Sequence, residues 1–151
     1  MRQKRAEEIL KVVGDVSGLA QMFFEAADTE RRLPPGHQRL SIKSCWPEYP
    51  PDQNLAYGYH DAEVRLTRAS PGAINRYDLA LEAGILLEIE DRKIVWAAAH
   101  SSVRRQRGPA WKRIAKMLHM HPQTARRKFQ RAILELWYKL ITLVDNANEN
   151  R

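Results

Sequence analysis

The sequence has a single cysteine, Cys45, so no internal disulfide can form and the fold must be held by packing. No apolar run approaches the roughly 18 residues that a bilayer span requires. The start, Met1-Arg2-Gln3-Lys4-Arg5-Ala6-Glu7-Glu8, is charged and leads into an amphipathic stretch, unlike the apolar block of a secretory signal. These absences predict a cytoplasmic protein with no membrane partner. Also missing are a phosphate-binding glycine loop, a nucleophile elbow and a His-Glu-x-x-His pair. His119-x-His121 has no second ligand pair at zinc-site spacing. No catalytic residue, metal or cofactor is therefore expected. Asp61, Glu63, Glu88, Glu90 and Asp91 read as surface and helix-end charges.

Acid is scarce in one stretch. Between residues 101 and 140 there are eleven basic residues and one acid, Glu135, a local charge of +10 in a chain whose net charge is +7. The remainder is therefore mildly acidic, at −3. Seven of the eleven cations are arginine, whose planar fork suits phosphates and guanine edges. A basic block on a mildly acidic chain points to a polyanion, because counterion release is the main sequence-independent source of affinity for one.

What is present is mostly helical periodicity. Residues 6–32 carry Ile9, Val12, Val13, Val16, Ala20, Phe23 and Ala27 at three- and four-residue spacing, which predicts one helix with room for a bend at Gly14 and Gly18. Pro34-Pro35-Gly36 ends it. Residues 34–70 hold five of the eight prolines, which argues against helix, but also Trp46, Tyr49, Tyr57 and Tyr59, too aromatic for an ordinary linker. An ordered, irregular arm is expected there. Ser70 before Pro71 marks a helix start, with Ile74, Tyr77, Leu81 and Ile85 on one face. A further helix begins near Glu90-Asp91, carries Ile94, Val95, Ala98 and Ala99, and fades at Ser101-Ser102. A basic linker, 104–109, follows.

Two helices come next. Trp111, Ile114, Ala115 and Leu118 share a face, three non-helical residues follow, and Met120 can fill the gap between the helices. His121 stands where an N-cap belongs, with Pro122 in the first helical position. The second helix runs to about Leu143 on a stripe of Ala125, Phe129, Ala132, Leu136 and Leu140. Helix, short turn, helix is the layout of a common DNA-reading motif. At about 100° per residue, Gln123, Arg127 and Gln130 face away from that stripe, with Arg126 and Arg131 on either side. Gln123, Thr124, Arg126, Arg127, Gln130 and Arg131 are thus candidate DNA contacts. Lys112, Arg104, Arg105 and Arg107 are better placed for phosphates. Leu134, Trp137 and Ile141 make a second apolar face, expected to pack on the amino-terminal helix or to bind a protein partner.

Ile114-Ala115-x-x-Leu118 followed by Thr124-Ala125-x-x-Lys128-Phe129-x-Arg131-Ala132-x-x-x-Leu136 resembles region 4 of bacterial sigma factors. Leu86–Val95 is similar to the helices that precede the motif there. The likeness covers about residues 80–140 and does not extend to the promoter-melting region. It departs from the pattern at His119, where glycine or asparagine eases a positive φ, and at Ala125, where valine is usual. Phe24-Glu25-Ala26-Ala27-Asp28-Thr29, Arg32-Leu33-Pro34 and Ser44-x-Trp46-Pro47-Glu48 resemble a domain family of unknown function from alphaproteobacteria and their phages. They are also similar to the sigma-like part of gene transfer agent activators of the Gaf type. That resemblance implies a transcription activator that engages RNA polymerase or another transcription factor.

The expected fold is all-α, five to six helices with a region-4-like helix-turn-helix near the carboxyl end and an irregular proline- and aromatic-containing insert. The expected divisions are 1–69, an amino-terminal helix and arm; 70–144, the helix-turn-helix domain; and 145–151, a flexible tail. The expected partner is double-stranded DNA, bound by a monomer or dimer. Two other readings compete: a phage DNA-packaging subunit of the small-terminase kind, and an interaction module that has lost DNA binding.

Overall fold

The computed structural model describes residues 3–33, 67–103 and 108–149. The insert at 34–66, with Cys45, Trp46 and the tyrosines, lies outside the described residues, as do Arg104, Arg105 and Arg107. Among the described residues the protein is all-helical, with six helices and no strand: α1 (Gln3–Val13), α2 (Val16–Arg32), α3 (Pro71–Ile85), α4 (Ile89–Val103), α5 (Trp111–Met117) and α6 (Pro122–Glu149). None is long and apolar enough to cross a membrane.

The single helix expected over 6–32 is two. Gly14 takes φ +73°, a conformation that suits glycine, and its N–H donates to the Leu10 carbonyl at 3.0 Å. The Asp15 carboxylate then accepts from the Gly18 N–H at 2.6 Å and caps α2. The break separates two apolar faces. Ala6 and Ile9 of α1 are buried where α1 packs mainly on α6, while Leu19, Met22, Phe23, Ala26 and Ala27 of α2 are buried against α3 and α4.

The Ser70 hydroxyl caps α3 by accepting from the Ala73 N–H at 3.2 Å. The buried face of α3 is only in part the one its large residues suggested: Tyr77 packs on the core and Ile74 is half-buried. Leu79, Ala80, Ala83 and Gly84 are buried, Leu81 is exposed, and Ile85 is 69% exposed. Close approach decides this. Phe23 and Trp96 meet edge to face at 5.6 Å, and a Cβ on Gly84 would touch both side chains, so the closest approach on that side is at Gly84. Arg92 ties the α3–α4 corner together, donating to the carbonyls of Gly84 (2.7 Å), Ile85 (3.0 Å) and Leu87 (3.0 Å). Lys139 of α6 donates to the Leu86 carbonyl at 3.2 Å.

A single buried cluster draws residues from all six helices, so the amino-terminal pair shares its core with the helix-turn-helix. Cross-links at the surface are ionic: Arg5 to Glu82 at 3.5 Å and Arg76 to Glu25 at 3.1 Å. Such exposed pairs contribute at most about 1 kcal/mol each. The last helix continues past Leu143 to Glu149, where a frayed tail was expected from 145. Nothing in Asp145-Asn146-Ala147-Asn148-Glu149 breaks a helix, and Leu143 and Val144 still pack on the core.

Candidate nucleic-acid interface

The turn between α5 and α6 is closed by the backbone. Leu118 donates to the Ile114 carbonyl at 3.0 Å and Met120 to the Ala115 carbonyl at 3.0 Å. His119 between them takes φ +52°, the left-handed conformation foreseen at this position. The His121 imidazole then accepts from the Gln123 N–H at 3.3 Å through Nδ1, a long but real cap on a helix whose Pro122 needs no N–H partner.

Packing fixes which side of α6 faces out. Ala125, Ala132, Leu136 and Leu140 have no exposed surface and Phe129 has little. The Phe129 ring lies between two others, stacked on Phe24 of α2 at 6.1 Å and tilted against Trp111 of α5 at 5.5 Å. Ile114 and Ala115 are buried where α5 packs on α6, and small residues at 115 and 125 allow that approach. Met120 is half-buried against the core, filling the gap as expected.

With that seam inward, Gln123, Thr124, Arg126, Arg127, Lys128, Gln130 and Arg131 are all exposed. Lys112, Arg113 and Lys116 are exposed on the neighbouring α5. Arg113 and Lys116 were counted in the basic block but not singled out as contacts. Their one-sided exposure follows from Ile114 and Ala115 turning inward beside them.

The candidates are not equivalent. Arg131 pairs with Glu135 one turn on, at 2.5 Å, and that hydrogen bond and charge, with Asp91 and Glu88 further away, raise its guanidinium above the usual value. Lys128 and Arg131 line a small polar pocket with Glu88, Glu90, Asp91 and Glu135. Arg126 and Arg127 carry no ion pair of this kind among the described residues. Among the described residues, no group of three or more His, Cys, Asp or Glu is placed to hold a metal ion.

The second apolar face divides. Trp137 is half-buried and packs on the core. Ile141 is half-buried, while Leu134 is exposed and Tyr138, which the sequence reading passed over, is 62% exposed. Tyr138 also borders a shallow apolar groove with Leu86, Lys139, Thr142 and Leu143.

Over residues 31–136 the sequence matches a family described as a domain of unknown function (DUF6362), and the chain belongs to that family. The match takes in the end of α2, the insert and the helix-turn-helix as far as Leu136. No curated protein and no solved structure matches the chain.

Proposed function

We propose that this member of the DUF6362 family is a cytoplasmic DNA-binding transcription regulator that reads duplex DNA with the first turns of α6. The observation that carries the reading is the division of one helix. Its Ala125–Phe129–Ala132 seam is buried while Gln123, Arg126, Arg127 and Gln130 stand exposed together near its amino end. That end is where recognition helices enter the major groove. Arginine there can grip guanine O6 and N7, and glutamine can pair with adenine N6 and N7. Lys112, Arg113 and Lys116 on α5 supply phosphate contacts, as the first helix of such a pair commonly does. The resemblance to sigma region 4 and to gene transfer agent activators favours an activator that also engages RNA polymerase. Exposed Leu134 and Tyr138, on the same helix beyond the DNA-reading turns, support a protein contact there.

The test uses the full chain, a duplex enriched from a random pool, and a scrambled duplex, followed by fluorescence anisotropy across salt concentrations. Binding that weakens steeply with salt is expected on both, tighter on the enriched one. Arg127→Ala should cost on the order of 1–3 kcal/mol on the enriched duplex and much less on the scrambled one. Equal losses would make Arg127 a phosphate clamp. No salt-sensitive binding to either duplex would end the DNA reading. Immunoprecipitation across the genome, compared with RNA polymerase occupancy, tests the regulatory half.

A further inference from the structure

Lys128 and Arg131 stand on the flank of α6 that faces the start of α4, where Glu88, Glu90 and Asp91 project; Glu135 completes the group from α6 itself. The helix amino terminus accounts for Glu90 and Asp91, which occupy the first turn of α4. It also accounts for Glu88, whose carbonyl accepts from the Arg92 N–H at 2.8 Å as the helix begins, but not for Glu135, in the middle of α6.

We infer that these four carboxylates form an acidic fence that holds Lys128 and Arg131 away from phosphates and so limits sequence-independent DNA binding. The inference rests on the DNA reading above. A helix about 10–12 Å across nearly fills a major groove about 12 Å wide, so its flanks abut the two phosphate rows. The fence then lies within about one Debye length, ~10 Å at 0.1 M salt, of a phosphate row. On that side it repels the backbone and draws on the two cations that would otherwise attract it, Arg131 through its bond to Glu135 and Lys128 by lining the same acidic pocket. Gln123, Arg126 and Gln130 lie on other parts of the helix surface, and Arg127, one turn before Arg131, is outside the acidic group; all four keep their reach to the bases. The effect is to lower affinity for any duplex by a similar factor, so that sequence-independent binding falls while base discrimination stays as it is.

The test neutralises the fence in the full chain with Glu88→Gln, Glu90→Gln, Asp91→Asn and Glu135→Gln together, and measures anisotropy on scrambled and enriched duplexes. Each cation released to phosphate steepens the slope of log affinity against log salt by about 0.9, or roughly eight-fold in affinity near 0.1 M salt. Two released cations should therefore tighten scrambled-duplex binding on the order of tens of fold and steepen the slope by about 1.8. The enriched duplex should tighten by a similar factor, so discrimination between the two should stay unchanged. Adding Lys128→Gln and Arg131→Gln to the neutralised protein should reverse the gain. If the four-fold variant melts far below the native protein, Glu88→Gln with Glu90→Gln, both at exposed positions, should still give a gain of several-fold. An unchanged slope in a native protein that does bind DNA overturns the fence and leaves the DNA reading standing. A gain that survives loss of both cations also overturns it, because the effect would then be the general field. Native protein that binds neither duplex removes both inferences together.

Discussion

Phe129 joins three helices, with its ring between Phe24 of α2 and Trp111 of α5 and its backbone one turn beyond Ala125. Replacing it with alanine removes a nearly buried ring and leaves a cavity that neighbours on three separate helices cannot easily close. Substitutions of this kind cost about 3–5 kcal/mol, against a total stability of about 5–15 kcal/mol for an ordinary domain. For a chain of this length each 1 kcal/mol lowers Tm by about 2–4 °C, so Phe129→Ala should melt roughly 6–20 °C lower. Leucine keeps most of the apolar volume and loses the two ring contacts, at about 0.5–1.5 kcal/mol each, so Phe129→Leu should cost about 1–3 kcal/mol. Gln130→Ala, one residue on but exposed, should stay within about 0.5 kcal/mol. Urea titration followed by circular dichroism gives all three values. A loss below about 1 kcal/mol for Phe129→Ala, or a Gln130→Ala loss as large, would mean that α6 presents a different face to the core. The assignment of its outward arginines would fall with it.

Three further outcomes follow from local geometry. A Cβ on Gly18 would sit 2.2 Å from the Val13 carbonyl oxygen, so Gly18→Ala should cost on the order of 1–3 kcal/mol in a thermal melt. Gly72→Ala, with nothing within 4 Å, should cost nothing, and equal effects would refute the tight α1–α2 joint. His121→Ala should lose about 0.5–1 kcal/mol with the cap on Gln123, and His121→Asp should restore it; no loss in the alanine variant would show that the cap is not formed in solution. Burial, with the charges of Glu30 and Asp78, raises the Tyr77 phenol above its ordinary value of 10.0. The folded state then holds that proton more firmly than the unfolded chain does. Its contribution is fully present below pH 10 and is lost as pH rises through the raised folded value. Stability measured between about pH 9 and 11 should decline less steeply in Tyr77→Phe than in the native protein, and parallel profiles would contradict the shift.

The helix-turn-helix was legible because its signals are local and agree with one another. The Ala125–Phe129–Ala132–Leu136–Leu140 stripe, the His121-Pro122 start and the turn length all lie within a few residues of what they specify. The positive φ at His119 was legible for the same reason. The division of α1 from α2 was half-legible: Gly14-Asp15 is a stop followed by a cap, but the unbroken apolar spacing on either side outweighed it. The buried face of α3 was read only in part: Tyr77 packs on the core and Ile74 is half-buried, but side-chain size also pointed to Leu81 and Ile85, which are exposed. The closest approach there is made by Gly84, against Phe23 and Trp96, with Ala80, Ala83 and Leu79 buried on the same helix.

The candidate site shows the same division between near and far. Periodicity alone placed Gln123, Arg126, Arg127 and Gln130 on the outer side of α6, since a helix with one apolar stripe has only one way to bury it. Periodicity could not distinguish Arg131 from them. That residue differs because Glu88, Glu90 and Asp91, some forty residues earlier, are brought beside it by the packing of α4 on α6. Trp137 likewise joins a core to which Ala6 and Ile9 of α1, from the other end of the chain, also contribute. Residue order by itself determined the helices, their caps and the outward set of cations, because those depend on spacings of a few residues and on hard local sterics. Only the tertiary structure decided which apolar face is used and which cations have an acid within reach, because burial and Coulomb attraction depend on distances through space that chain separation does not encode.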